Sequence, residues 1–182
     1  REARYAAAAR LAEPAAATIV TGHTADDQVE TVLYRLASSP SRRALLGMRW
    51  RDGSLARPLL GSTRAEVTEY CEQRGLAWRE DRSNEDESFA RNRIRAGLVP
   101  QLTRVHPAAA ANVLRTAELL REEAELLDAL VDAELEGAGD APAGTIALER
   151  FAGLHPALRR LVLQRLADAA AGRPVPGAAR FA

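Results

Sequence analysis

Apolar residues recur along the chain with two periods, and the changes of period mark the elements. An Ala-rich run from Arg1 to Glu13 reads as a helix that Pro14 stops. Ala17-Thr-Ile-Val-Thr21 is short, β-branched and continuous, which predicts a buried parallel strand. Val29, Val32, Leu33 and Leu36 then recur at helical spacing and define one apolar face. Thr24 stands just ahead with Asp27 in a Thr-x-x-Asp arrangement, which caps a helix start. Ser38 to Ser41 breaks that helix, and Gly47 and Gly53 read as turns in the segment from Arg42 to Arg57. Leu55-Ala-Arg-Pro-Leu-Leu60 predicts a short strand. Thr63-x-x-Glu66 opens a helix from Arg64, and Gly75 closes it at the C′ position. Leu76-Ala-Trp78 is a short extended piece, and Arg79 to Ser88 is a polar loop with Ser83-Asn84-Glu85-Asp86 as a turn and cap. Phe89 to Arg104 is helical, interrupted at Pro100.

The pattern changes after His106-Pro107. Residues 108 to 136 form one long helix with Val113, Leu120, Leu127, Leu130 and Val131 on one face. Glu118, Glu122, Glu123, Glu125, Asp128, Asp132, Glu134 and Glu136 form a solvated face that would repel RNA. Gly137 to Gly144 is a linker, and a last helix runs from about Pro156 to Ala171. These patterns place a boundary near residue 105, with an α/β domain over 1–105 and an all-helical domain over 106–182.

Length and composition narrow the function classes. With 182 residues and 47% hydrophobic content, the chain can build one ordinary domain or two small ones. The 25 basic and 25 acidic residues cancel, so any attraction to nucleic acid must come from local patches. Every basic residue is Arg; a GC-rich coding bias explains this and weakens arguments from arginine count alone. The single Cys71 excludes an internal disulfide and a Cys-based zinc site, and reads as buried and inert. No run of about 18 apolar residues exists to span a membrane. No basic-apolar-small leader is visible, which points to the cytoplasm. The abrupt helical start and the Pro174-Val-Pro-Gly177 ending read as a fragment of something longer.

Candidate chemistry gathers where the first strand feeds the capped helix. Backbone N–H groups point outward at such a junction, and α/β proteins bind nucleotides there. His23, Asp27 and Glu30 stand at this start. The carboxylates could hold Mg²⁺ or a substrate ammonium, and His23 could contact phosphate or move a proton. A capped helix with acids in its first turn fits the same spacing. Arg91-Asn-Arg-Ile-Arg95 supplies fixed positive charge; Asn92 and Arg95 lie one turn apart, and Arg95 could clamp a phosphate. A solvated basic helix face is the alternative. Arg42, Arg43, Arg49, Arg51 and Arg57, with Trp50 among them, could track an RNA backbone or be ordinary surface. His106 and His155 each precede Pro at a helix start and read as structural.

Taken together, Gly22-His-Thr-Ala-Asp-Asp-Gln-Val-Glu-Thr31, Arg57-Pro-Leu-Leu60, Gly75-Leu-Ala-Trp-Arg-Glu-Asp-Arg-Ser-Asn84, and Arg91-Asn-Arg-Ile-Arg95 with Pro100-Gln-Leu102 carry a resemblance. Over residues 1 to about 105 the chain resembles the tRNA(Ile)-lysidine synthetases, of the PP-loop (N-type) ATP pyrophosphatase superfamily. The resemblance implies the C-terminal part of an adenine nucleotide alpha hydrolase-like α/β domain with a partial parallel sheet. A small helical, tRNA-contacting domain follows over 106–182.

The reaction implied is ligation of free L-lysine to the wobble cytidine of tRNA(Ile) with a CAU anticodon, through an adenylated tRNA. ATP and Mg²⁺ would be the cofactors, and a second copy of the chain a further partner. His23, Asp27, Glu30 and Arg95 match the family's active-site positions, with Asp26, Arg91 and Asn92 expected at the substrate. Asp27 is the candidate metal ligand; the split of lysine and metal between Asp27 and Glu30 stays open. The family's Ser-Gly-Gly-x-Asp-Ser loop would lie upstream of Arg1, so the isolated chain is expected to be inactive. The alternatives are a non-catalytic tRNA-binding fragment, or another PP-loop tRNA-modifying enzyme such as a cytidine thiolase, which the single cysteine disfavours.

Overall fold

A computed structural model describes residues 2–12, 17–39, 41–79, 86, 88–136, 145–173 and 175. The backbone divides into two compact units. One comprises Arg1–Ser39 and Ala44–Ala117, the other Pro40–Arg43 and Glu118–Ala182, with the division falling inside one long helix.

In the first unit, helix α1 (Glu2–Ala12) precedes strand β1 (Ile19–Val20) and helix α2 (Ala25–Ser38). A 3₁₀ turn spans Arg42–Leu46. Strands β2 (Arg51–Asp52) and β3 (Leu55–Ala56) then form a hairpin. Its two-residue turn is Gly53-Ser54, where Gly at the first loop position, at φ +58°, supplies the positive φ that tight hairpin turns need. The sheet order is β1-β3-β2, with β1 and β3 parallel and β2 antiparallel to β3. β1 is not buried as its composition predicts: Val20 is 63% exposed on this short outer strand. The run Leu55–Leu60 leaves the sheet after Ala56, since Pro58 cannot donate to a ladder.

Helix α2 supplies much of this unit's buried surface through Ala25, Val29, Val32 and Leu33. Leu36, expected on the same face, is instead 61% exposed in the last turn. Gln28 and Thr31 are buried and hydrogen-bonded. The Gln28 amide donates to the Met48 carbonyl at 2.9 Å and accepts from the Met48 N–H at 2.7 Å. Gly47, at φ +67°, lies so close that a Cβ would sit 2.8 Å from the Gln28 side chain.

Helix α3 (Arg64–Gln73) opens on the expected Thr63–Glu66 box, and Gly75 follows it at φ +61°. Cys71 is half-buried rather than buried. Only Asp86 of the predicted Ser83–Asp86 turn is described; its carboxylate accepts from the Ser88 N–H at 2.9 Å. Helix α4 (Ala90–Arg93) continues through a π turn (Ile94–Leu98) into α5 (Val99–Val105), so the interruption precedes Pro100. The Val99 N–H reaches the Ile94 carbonyl, a widened turn that accommodates a proline one residue later.

Helix α6 (Ala109–Glu136) buries Ala117, Ala124 and Val131, a seven-residue repeat, with Leu120 and Leu127 half-buried between them and Val113 half-buried one turn before. Leu130, expected on this face, is 46% exposed. The second unit adds α7 (Leu148–Gly153) and α8 (Pro156–Ala171), capped at Gly172 with φ +61°. The acidic face of α6 is not simply solvated. Asp128 pairs with Arg43 and Arg165, Asp132 with Arg165, and Glu134 with Arg150. His106 and His155 accept backbone N–H groups through Nδ1, the structural role their sequence context predicts. The linker Gly137–Gly144 lies outside the described residues. No helix among the described residues is long and apolar enough to cross a membrane.

Candidate active site at the start of helix α2

The site begins with the cap of α2. The Thr24 N–H and hydroxyl both donate to Oδ2 of Asp27, at 2.9 and 3.0 Å. One carboxylate oxygen is thereby committed to the helix start, and Oδ1 is left facing cations. One helical turn on, Glu30 is 2% exposed. Its carboxylate receives a two-pronged contact from Arg95, Nε to Oε1 at 2.6 Å and Nη2 to Oε2 at 3.2 Å. Burial of Glu30 is tolerable only because this fork satisfies both oxygens. The same bond, with its charge, holds the Arg95 guanidinium still further above its ordinary high pKa, against the opposing effect of burial. Arg95 also stands 3.8 Å from Asp27 Oδ1.

Arg64 is a member that periodicity does not reveal. Its guanidinium lies 3.8 Å from Asp27 Oδ1 and 3.7 Å from Glu30 Oε1, and remains 42% exposed. Asp26 positions it: Oδ2 accepts the Arg64 backbone N–H at 2.6 Å, joining the start of α3 to the start of α2. The capped Thr63–Arg64 junction was legible, but its meeting with α2 is a tertiary event.

The remaining candidates divide. His23 is half-buried and bonds through Nδ1 to the Thr21 hydroxyl at 2.8 Å. Arg91 donates to the Thr31 hydroxyl at 3.1 Å, which itself donates to the Asp27 carbonyl at 2.7 Å. Asn92 is 9% exposed and donates to the Asp86 carbonyl at 2.8 Å. Arg91 thus ties the Arg95 segment to α2, while Asn92 ties that segment to the residues just before it. A groove of about 390 Å³ lies along the other end of α2, lined by Tyr34, Ala37, Ser38, Ala90, Arg93, Ile94 and Leu98. The carboxylates do not line it.

Two carboxylates facing two guanidiniums at a strand-to-helix junction can do limited chemistry. The arginines can hold an anion, and the spare Asp27 oxygen can accept from a substrate ammonium. The described residues include no cluster of three His, Cys, Asp or Glu able to hold a metal. Any Mg²⁺ at Asp27 would therefore draw most of its shell from water and nucleotide phosphates.

Residues 1–102, which contain this whole constellation, match the PP-loop domain. The chain belongs to the PP-loop domain family. Its similar relatives carry the name tRNA(Ile)-lysidine synthase. That of Pseudomonas syringae pv. tomato is 43% identical over 143 residues, covering 76% of this chain and 32% of the relative. That of Thermobifida fusca is 40% identical over 172 residues, covering 93% and 53%. That of Mycolicibacterium paratuberculosis is 42% identical over 165 residues, covering 90% and 50%. This PP-loop chain spans between about a third and a half of these relatives' lengths.

Proposed function

We propose that the chain is part of a tRNA(Ile)-lysidine synthase, acting on the wobble cytidine of tRNA(Ile) with a CAU anticodon. The observation that carries this is the buried Glu30–Arg95 pair beside Asp27, inside a PP-loop domain whose relatives bear that name. In the first step the cytidine O2 attacks the α-phosphorus of ATP, forming an O–P bond and releasing pyrophosphate. In the second the lysine amine attacks C2; the C2–O2 bond breaks, AMP leaves, and the amine loses its proton. Decoding would change from Met to Ile.

Within this reading Glu30 is a positioning residue, because both its oxygens serve Arg95. Arg95, with Arg64 and His23, suits the phosphate and the departing AMP. Asp27 Oδ1 is the carboxylate oxygen suited to the lysine ammonium. Mg²⁺ accompanies ATP, and Asp27 is the protein ligand we assign to it. Asp26, Arg91 and Asn92 support the substrate side by bracing Arg64 and the Arg95 segment. Residues 106–182 belong to a helical part that contacts the tRNA, and the reaction takes place in the cytoplasm.

The test is labelled-lysine incorporation into unmodified tRNA(Ile) with ATP and Mg²⁺, using this chain and the chain extended upstream. Incorporation by either supports the reading, and its loss with Arg95→Ala, together with loss of AMP-labelled tRNA, supports the role of Arg95. No incorporation and no adenylation by either form, with tRNA still bound, would favour a non-catalytic tRNA-binding module.

A further inference from the structure

We infer that the β2–β3 hairpin is a docking surface for a single-stranded loop of RNA, with Trp50 as a base-stacking platform and Arg49 and Arg51 as phosphate contacts. This rests on the tRNA reading and says where the RNA would lie.

Trp50 is 59% exposed, flanked by the exposed Arg49 and Arg51. Among the described residues, Arg43, Arg64, Arg95, Arg150 and Arg165 all form ion pairs with carboxylates; Arg49 and Arg51 do not. The Arg51 Nε contact is a 3.3 Å bond to the Gly53 carbonyl. The one acid on the hairpin, Asp52, is exposed. Arg42 and Arg43 of the predicted basic strip fall in the other unit, and Arg43 is taken up by Asp128.

The platform is braced from behind. Arg57 is 8% exposed and, among the described residues, pairs with no carboxylate. It donates through Nη1 to the Arg49 carbonyl at 2.7 Å and through its backbone N–H to the Trp50 carbonyl at 2.8 Å, while its buried Nε finds no partner. Gln28 holds the N–H and carbonyl of Met48 immediately before. Residues 48–50 are therefore pinned on successive backbone groups. A buried guanidinium with no counter-ion among the described residues adds fixed positive potential behind the backbone of Arg49 and Trp50. An exposed indole on a pinned backbone, between guanidiniums without carboxylate partners among the described residues, fits a polyanion with flat stacking faces. An acidic peptide would match the charge and leave the indole unused.

The experiment uses the full chain with Trp78→Phe, which leaves Trp50 as the only tryptophan. It is titrated with the anticodon stem–loop of tRNA(Ile), following indole fluorescence and anisotropy of labelled RNA. Saturable quenching is expected, with Trp50→Ala binding about tenfold weaker and Trp50→Phe within roughly threefold of the parent. Should Trp50→Ala lose its circular dichroism signature, Arg51→Ala is the second variant, expected to bind several-fold weaker. If the parent binds and folded Trp50→Ala or Arg51→Ala bind equally well, the hairpin is overturned while the tRNA reading stands. If the parent binds neither the stem–loop nor whole tRNA, both are overturned. Equal quenching and displacement by poly-glutamate would overturn RNA as the partner class.

Discussion

Asp27 carries two duties that substitution can separate. Its Oδ2 caps α2 and its Oδ1 faces Arg64 and Arg95. Asp27→Ala should lower stability by about 1 kcal/mol, the usual cost of a lost cap, and, on the proposed function, should abolish lysine transfer by the chain extended upstream. Asp27→Asn keeps a carbonyl oxygen for the Thr24 N–H, so its denaturation midpoint should stay near the parent's while lysine transfer is still lost. Normal lysine incorporation by Asp27→Asn would remove the carboxylate from the ammonium role. Glu30 differs because its carboxylate is buried. Glu30→Gln removes the buried carboxylate that forks with Arg95, leaving it Asp27 at 3.8 Å, and should cost about 2–3 kcal/mol in urea unfolding. That is less than the roughly 3–5 kcal/mol of a fully buried pair, because Arg95 is 30% exposed to water. An unchanged urea midpoint would show that the pair adds nothing to stability.

Elements were legible where the signal is local. Thr24 with Asp27, Thr63 with Glu66, Gly75 after α3 and Pro156 after His155 each fix a boundary through one or two backbone groups, and the boundaries fall at or close to those positions. The Glu30–Arg95 fork spans 65 residues, and the Gln28–Met48 clamp 20. Neither distance is a period, so burial of Glu30 and Gln28 had no sequence signature. The α6 seam was misread for a related reason: Ala117 and Ala124 carry little hydrophobic weight, yet small side chains permit close approach, while larger Leu130 stays exposed. The α3 cap also carries a pH signature. Hydrogen bonds from the Thr63 N–H and hydroxyl hold Glu66 below the ordinary carboxylate value. A depressed folded-state pKa means the unfolded chain binds the proton more tightly, so stability rises with pH. The cap's contribution should be fully present above the unfolded value of about 4.3 and fade as pH falls through the lower folded one. Thermal midpoints of the parent and Glu66→Gln should differ near pH 6, and the gap should narrow as the pH falls below the unfolded value. A gap that stays constant through the acid range would mean the cap acts through something other than the carboxylate charge.

At the scale of the whole chain, zero net charge conceals an uneven distribution. In the second unit three acids of α6, Asp128, Asp132 and Glu134, are paired with Arg43, Arg150 and Arg165, and at the site Glu30 and Asp27 face Arg64 and Arg95. The hairpin arginines lack that compensation, so attraction to RNA should be local rather than global. Local contact has a measurable consequence, since each phosphate neutralised on a single strand contributes about 0.7 to the slope of log affinity against log salt. Arg49 and Arg51 together should give a slope of about −1.4, far shallower than that of a protein with a broad basic face. The double variant Arg49→Ala, Arg51→Ala should bring the slope close to zero while stacking on Trp50 preserves residual binding. A steep slope that survives the double variant would place the phosphate contacts elsewhere on the chain and leave Trp50 without its electrostatic frame.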